Sequence, residues 1–307
     1  MRYFTRLLSE LRELTQRHKP GDHLVPPSLL NSVQIHGRRV SYFQMGLGKK
    51  GPPILLLHGF GGFFMDWPRV MAPLARYHRV YALDFPGWGF SEPRTKTEGI
   101  EDDVAVVSEF IRHHELEDTI LVGISYGAAV AWASAAQKIK GLRKIVLLNP
   151  MPPFPLKHMK SLLYRGIFLL NSFAFTAKHS SKMMTKAHYK RICKENLKNH
   201  HLLDSVYLEL GYLVLKQPFV HESLHLHSKK ARSIDWKMWE KRLGGIKIPV
   251  TIMQGLDDRV FTIESAKYLH GLIPHSKLIE VEDCGHAMVF DQHRKIATYL
   301  LSFCRGL

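Results

Sequence analysis

The chain has 307 residues, of which 45% are hydrophobic and 23% are charged, a balance typical of a globular protein with a large core. No apolar run approaches the roughly 20 residues of a membrane-spanning helix. Glu10 and Glu13 interrupt the N-terminal leucines, so we expect no signal peptide. The three cysteines do not suggest a disulfide framework, which favours a cytoplasmic protein.

The net charge of +16 is unevenly distributed, because residues 151–240 hold 15 Lys and Arg against six Asp and Glu. A solvated basic face accounts for this excess, and attraction to anionic lipid headgroups or acidic substrates is the alternative. No nucleic-acid-binding motif accompanies the charge, and the eight histidines of this segment lack metal-ligand spacing. We therefore expect neither nucleic acid nor a metal ion as a partner.

Residues 1–18 place aromatic and leucine side chains at helical spacing, with arginines on the opposite side. The pattern predicts a basic amphipathic helix, followed by a linker rich in Gly and Pro that ends near residue 30. The leucine face of this helix either packs on the body of the protein or lies on a membrane surface.

The next segment alternates strands with helices. Two short strands at 32–36 and 39–45 are predicted to form an antiparallel pair. Apolar strands follow at 53–57, 79–84, 119–124 and 144–148, and helices are predicted at 68–77, 100–114 and 126–138. This alternation predicts an α/β fold whose central sheet is mostly parallel, flanked by helices and buried on both faces.

The alternation stops after residue 150 and resumes at 246, with strands at 248–254 and 277–281 and helices at 263–272 and 293–304. Residues 151–245 contain helical stretches but no convincing strand. We interpret them as a helical cap inserted into a core formed by residues 31–150 and 246–307. The apolar cap residues either line an acyl tunnel or form the core of the cap: Leu162, Leu163, Ile167, Phe168, Leu169, Leu170, Phe173, Phe175, Val206, Leu208, Leu210, Leu213, Val214 and Leu215.

A serine stands at the predicted strand-to-helix turn. Residues 123–127 read Gly-Ile-Ser-Tyr-Gly and directly follow an apolar strand. Gly123 and Gly127 allow the strand end and the helix start to crowd around a strained Ser125. A serine hydroxyl becomes a competent nucleophile when a base takes its proton, so Ser125 is the candidate nucleophile.

The candidate base and acid also follow strands, where the carboxyl ends of a parallel sheet gather functional groups. His286 follows the last strand and is preceded by Gly285, which gives the backbone freedom. Asp257 and Asp258 follow strand 248–254, and either carboxylate is suited to orient an imidazole. Asn149 ends the preceding strand, but a neutral amide cannot replace the acid.

Serine chemistry also needs donors for an oxyanion. The N–H of Tyr126, at the start of the helix, is one candidate. The N–H of Phe60, in the His-Gly-Phe-Gly-Gly loop of residues 58–62, is the other. Gly59 and Gly61 let this loop approach a substrate oxygen, so both are predicted to contact substrate.

Together these motifs resemble the α/β-hydrolase fold superfamily, over about residues 32–149 and 246–305. The stretches that carry the resemblance are 58–62, 84–91, 123–127, 255–260 and 284–286. In members with a Gly-x-x-Asp pattern the acid lies three residues after the glycine, which implies a triad of Ser125, Asp258 and His286 in that chain order. The resemblance also implies that the turn 84–91, which contains Trp88, is structural and lines the substrate site.

The resemblance narrows the chemistry to a serine hydrolase that needs no cofactor or metal ion. Haloalkane dehalogenases and epoxide hydrolases of this fold use an aspartate where Ser125 stands, and the basic cap weakens a likeness to proline aminopeptidases. Residues 284–289 look most like those of monoacylglycerol-lipase-type esterases. We therefore expect an esterase for substrates with an apolar acyl chain, drawn to anionic membrane surfaces by its basic cap and N-terminal helix.

Two alternatives remain. The first is a ring-cleavage C–C bond hydrolase that uses the same triad, with Arg165 or Arg191 gripping a substrate carboxylate. Such hydrolases usually carry tryptophan where this chain has Ala287. The second is a catalytically silent binding protein built on the same fold.

Overall fold

The computed structural model describes residues 29–173, 184–203 and 205–305, together with the single positions 9, 13 and 175. The N-terminal helix predicted at 1–18 therefore lies, apart from two positions, outside the described residues. Within the described ranges, no helix combines the length and the hydropathy that crossing a membrane requires.

An eight-stranded sheet forms the centre of the molecule, in the order β1-β2-β4-β3-β5-β6-β7-β8. The pairs β1–β2 and β2–β4 are antiparallel and all other neighbours are parallel, which confirms the predicted mostly parallel sheet. The strands are β1 Leu30–Ile35, β2 Arg38–Met45, β3 Gly51–Leu57, β4 His78–Leu83, β5 Thr119–Ile124, β6 Leu142–Leu148, β7 Val250–Gly255 and β8 Lys277–Val281.

Helices cover both faces of the sheet and one end of it. The helices of the core are α1 Pro68–Leu74, α2 Ile100–His113, α3 Tyr126–Ala136, α10 Ile263–Leu272, α11 Met288–Asp291 and α12 His293–Arg305. Those between β6 and β7 are α4 Pro155–His158, α5 Leu162–Asn171, α6 Lys186–Glu195, α7 Ser205–Leu215, α8 Pro218–Ala231 and α9 Trp236–Leu243. No strand of the sheet lies in the described part of residues 151–245, which we call the cap.

The chain reverses its direction across the sheet at β3, which lies between β4 and β5. Since crossovers between parallel strands are right-handed, the reversal puts α1 and α2 on opposite faces. Helix α1 accordingly packs against α12, whereas α2 packs against α3. Ligands of open α/β sheets bind at such a reversal, so the carboxyl ends of β3 and β5 mark the expected site.

Two cap helices pack directly on the core. Helix α9 packs on α3, where the rings of Trp239 and Trp132 meet edge to face at 5.5 Å. Helix α8 approaches the turn after β4 so closely that a Cβ atom on Gly87 would lie 2.4 Å from Ser223 Oγ. Only glycine fits at that position, which has φ of +83°, and the contact sets the position of α8 above the reversal point.

Candidate active site

Ser125 stands at the sharp turn between β5 and α3, with φ of 53° and ψ of −113°. Positive φ is strained for a residue other than glycine. A Cβ atom on Gly123 would lie 2.2 Å from the carbonyl oxygen of Gly127, and one on Gly127 would lie 2.2 Å from that of Leu57. Within residues 119–135 every position is buried except Ser125, so the turn lifts this hydroxyl out of the packed sheet.

Ser125, His286 and Asp258, predicted from three distant segments, form one hydrogen-bonded chain. His286 Nε2 lies 3.0 Å from Ser125 Oγ, and His286 Nδ1 lies 2.8 Å from Asp258 Oδ2. The second carboxylate oxygen, Asp258 Oδ1, accepts from the N–H groups of Val260 and Phe261 at 2.7 and 3.1 Å. A proton on Nδ1 donated to Asp258 leaves Nε2 free to accept the serine proton.

The neighbouring carboxylate, Asp257, faces away from this chain. Its Oδ1 accepts from Lys198 Nζ at 2.8 Å, and both side chains are partly exposed. Asp258 is buried and is further held by Gln254 Nε2, at 3.3 Å from its Oδ2. The residues alone do not show which of the two adjacent aspartates lies beside the imidazole. The geometry does, and it is Asp258.

The predicted oxyanion donors lie beside Ser125. A Cβ atom on Gly59 would be 3.4 Å from Ser125 Cβ and 3.9 Å from its Oγ, so the loop backbone passes directly over the serine. No other described residue accepts a hydrogen bond from the backbone N–H of Phe60 or of Tyr126. Gly61 adopts φ of +77°, which turns the loop away behind Phe60. The two N–H groups are thus available to a substrate oxygen.

His58 is a site residue that the motif analysis did not single out. Its Nδ1 lies 2.8 Å from the carbonyl oxygen of Gly59, and its Nε2 lies 3.1 Å from the N–H of Phe85. Because a backbone N–H can only donate, Nε2 must accept and Nδ1 must carry the proton. Burial lowers the pKa of His58 to about 4, which agrees with this neutral form. The ring therefore fixes the loop that carries Phe60.

Asn149 connects the loop of the acid with the loop of the base. Its Nδ2 donates to the carbonyl oxygens of Gly285 and His286 at 2.8 and 2.9 Å, and its Oδ1 accepts from the N–H of Gly255 at 2.7 Å. Both ends of an amide are needed for this arrangement, because a carboxylate has no N–H to donate. Sequence reasoning considered this position only as a place for the acid and missed its structural role.

Trp88 was predicted to line the substrate site, but its position in the structure contradicts this prediction. The indole is fully buried and packs behind Phe60, with ring centroids 5.1 Å apart, and it does not line the cavity. The same turn is held by Asp84, whose carboxylate accepts from the N–H groups of Phe64 and Phe90 at 2.6 and 2.8 Å. Burial raises the pKa of Asp84 to about 8. The turn is therefore a support of the loop that carries Phe60.

A buried ionic network lies beneath Tyr126. The hydroxyl of Tyr126 donates to Asp103 Oδ2 at 2.5 Å, and Arg94 binds both oxygens of Asp103 at 2.7 and 2.8 Å. Glu98 completes the network by accepting from Arg94 at 3.3 Å and from both terminal nitrogens of Arg38 at 2.7 Å. These contacts anchor Tyr126, whose N–H is the second predicted oxyanion donor, and no sequence motif predicted them.

A cavity of about 340 Å³ extends from Ser125 into the cap. Ile167, Phe168, Leu170 and Leu215 line it, as the tunnel interpretation expects, whereas Leu162, Leu163 and Leu169 do not. Four other apolar residues of the predicted set are buried away from the cavity: Val206, Leu208, Leu210 and Val214. The apolar cap residues thus divide between a cavity wall, the packed interior and the exposed surface.

Asp66 places a carboxyl group in this mainly apolar wall. Its Oδ1 accepts from the hydroxyl of Tyr207 on α7 at 2.9 Å, so it joins the core to the cap. Burial raises the pKa of Asp66 to about 7, against the opposing effect of the hydrogen bond from Tyr207.

Among the described residues, no group of three or more His, Cys, Asp or Glu is arranged to hold a metal ion.

Comparisons with known proteins agree with this architecture. The sequence profile of the alpha/beta hydrolase fold family matches residues 52–292. A 2-hydroxy-6-oxo-2,4-heptadienoate hydrolase of Pseudomonas putida is 27% identical over 251 residues, covering 80% of this chain and 86% of the relative. A monoacylglycerol lipase of Xenopus laevis, abhd6-A, is 27% identical over 281 residues, covering 85% of this chain and 78% of the relative.

A solved structure of a membrane phospholipase A, described as a bacterial virulence factor, superimposes with a TM-score of 0.76. It is 22% identical and the match covers 99% of this chain and 92% of that chain, so it supports the fold alone. The matched profile spans more than half of the sequence, including the three segments that meet at Ser125. The chain belongs to the α/β-hydrolase fold family.

Proposed function

We propose that the protein is a serine esterase that cleaves carboxylic esters with an apolar acyl chain. The observation that carries the proposal is the chain from Ser125 Oγ to His286 at 3.0 Å and on to Asp258 at 2.8 Å. A nucleophile beside a base that is oriented by a carboxylate is the arrangement that serine catalysis requires.

In the first half of the proposed reaction, Ser125 Oγ attacks the ester carbonyl carbon while its proton passes to His286 Nε2. Asp258 stabilises the imidazolium that forms, and the N–H groups of Phe60 and Tyr126 bind the negatively charged oxygen. The tetrahedral intermediate collapses, the bond to the alcohol oxygen breaks, and His286 gives its proton to the departing alcohol.

In the second half, a water molecule replaces the alcohol. His286 takes a proton from this water, whose oxygen attacks the acyl carbon, and the acid leaves as the proton returns to Ser125 Oγ. Every group required is supplied by the chain itself, so the proposed reaction needs no cofactor or metal ion.

The cavity supports an apolar acyl chain as the recognised group. Much of its wall is aliphatic, aromatic or thioether side chain, contributed largely by the cap: Met159, Ile167, Phe168, Leu215, Leu224 and Ile234. Binding an acyl chain there removes apolar surface from water at about 25 cal/mol per Å². The similarity to a monoacylglycerol lipase over most of both chains is in keeping with this substrate class.

A C–C bond hydrolase is the second candidate, favoured by the similarity to the heptadienoate hydrolase. Its substrate would need a partner for its carboxylate. Arg165 and Arg191 are both exposed, and the described residues that line the cavity include no Lys or Arg. Asp66 is in the wall instead and would repel an anion when ionised. These positions favour the ester over the carboxylated dienoate.

The test is a series of p-nitrophenyl esters of increasing chain length, run beside a ring-cleavage dienoate. We expect hydrolysis of the esters, with kcat/KM rising with chain length until the cavity is filled. Ser125→Ala should lower kcat by about 10⁴ or more, as loss of such a nucleophile does elsewhere. A fluorophosphonate probe should label the wild type and not this variant.

Turnover of the dienoate without the esters would replace the proposal by C–C bond hydrolysis. Absence of both activities and of fluorophosphonate labelling would indicate a silent binding protein. Near-normal ester hydrolysis by Ser125→Ala would remove Ser125 from the chemistry.

A further inference from the structure

Helix α5 of the cap is apolar on two opposite sides. On the inner side, Tyr164, Ile167 and Phe168 line the cavity. On the outer side, Leu162 and Leu169 are 79% and 52% exposed. A surface helix of a globular protein normally turns polar residues to water, so exposed leucines at i and i+7 call for an explanation.

The charge around this helix has one sign. Residues 151–194 contain nine Lys and Arg and no Asp or Glu. Lys157 and Lys160 precede α5 and are exposed, and Arg165 is exposed on the outer side of the helix between the two leucines. Phe173 follows α5 in sequence, and the Arg232 guanidinium lies over its ring at 5.5 Å from the centroid. An apolar strip surrounded by cations complements a surface that is apolar inside and anionic outside.

We propose that the outer face of α5, defined as Leu162, Leu163 and Leu169 with Lys157, Lys160 and Arg165, docks on an anionic lipid bilayer. The leucines enter the boundary between headgroups and acyl chains, and the cations remain at the headgroups. Because the inner face of the same helix lines the cavity, docking brings the cavity beside the lipid. Only this last consequence rests on the proposed function, because docking requires no catalysis.

The experiment is sedimentation of the full chain with vesicles of phosphatidylcholine alone or mixed with phosphatidylglycerol. The wild type should bind the mixed vesicles more strongly, and added salt should weaken binding as it screens the cations. The double variant Leu162→Gln/Leu169→Gln should lose roughly tenfold or more of the partition coefficient, since two leucines no longer leave water.

A matched control changes two exposed apolar residues outside the cap. Leu47 and Tyr77 are 73% and 54% exposed, and both lie in connections between core strands. Leu47→Gln/Tyr77→Gln should bind vesicles like the wild type. Both double variants should hydrolyse a dissolved short-chain ester at the wild-type rate, which shows that fold and site are intact.

Vesicle binding that survives Leu162→Gln/Leu169→Gln overturns the proposal, because docking would then belong to another part of the chain, such as residues 1–18. A wild-type dimer that this variant dissociates also overturns it and assigns the outer face to a second copy. A wild type that binds vesicles through α5 but hydrolyses no ester leaves the docking proposal standing and sinks the proposed function.

Discussion

The core and the cap treat polar groups in opposite ways. Around Ser125 the core buries polar side chains and pairs them across long sequence distances, as Asn149 does with the loop of His286 and with Gly255. In the cap, exposed basic residues surround α5, and the surface turned toward Ser125 is mostly apolar. Buried hydrogen-bonded groups hold atoms in place, whereas an apolar wall selects what enters. Under the proposed function, the core positions the reacting groups and the cap selects the substrate.

The sharpest test of this division compares two adjacent aspartates. Asp258→Asn removes the acceptor that holds the proton on His286 Nδ1, so kcat should fall about 10⁴-fold. Asp257→Asn loses only a partly exposed ion pair with the cap residue Lys198, an interaction worth at most about 1 kcal/mol.

The measurement is the rate of ester hydrolysis by both variants with the same substrate. The Asp257→Asn variant should stay within about twofold of the wild-type rate, because its carboxylate touches no reacting group. Equal losses in the two variants would contradict the assignment of Asp258 and the separation of the two regions.

The next effect concerns glycines. Gly127→Ala in α3 would place a Cβ atom 2.2 Å from the carbonyl oxygen of Leu57 and 2.5 Å from that of His58, both fixed backbone atoms. We expect the free energy of unfolding to fall by about 3 kcal/mol. Gly166→Ala in cap helix α5 meets no atom within 4 Å and should raise it by up to about 1 kcal/mol.

Urea denaturation midpoints of the two variants and the wild type provide the measurement. Similar destabilisation by both substitutions would show that the cap is packed as tightly as the core around the nucleophile, and would contradict the difference between the two regions.

The last expected effect depends on pH and lies at the junction of the two regions. The pKa of Asp66 is raised to about 7 by burial, so the folded protein keeps this proton after the unfolded chain has lost it. The stabilising contribution of the neutral carboxyl is complete below the ordinary pKa of aspartate, near 4, and is lost as the pH rises toward 7. The slope is at most about 1.4 kcal/mol per pH unit.

Asp66→Asn should flatten this part of the stability profile, measured as the free energy of unfolding between pH 4 and about 8. Tyr207→Phe is the control, because it removes the cap hydroxyl and leaves the carboxyl in place. Since the hydrogen bond from Tyr207 lowers the pKa, the slope should persist in Tyr207→Phe and reach to higher pH. Identical profiles for Asp66→Asn and the wild type would exclude Asp66 as the source.

Much of the core was predictable because its signals are local. Apolar runs bounded by glycine and proline predicted the strands, and every predicted strand overlaps one in the sheet. The glycines around Ser125 predicted a crowded turn, and their positions leave no space for a Cβ atom. The roles of Trp88, Asn149 and His58 were not predictable in this way, because each depends on a partner that only folding brings near.

The sequence alone determined the fold and predicted Ser125 and His286, since strand patterns and glycine-bounded turns follow from neighbouring residues, whereas Asp258 was implied by the family resemblance. Only the tertiary structure distinguished Asp258 from Asp257 by geometry and showed that Trp88 lies behind Phe60. It also showed which apolar cap residues line the cavity, which are packed in the interior and which form the outer face of α5. The physical reason is that hydrophobicity records a preference for leaving water, whereas the surface that a side chain meets is set by the packing of distant segments.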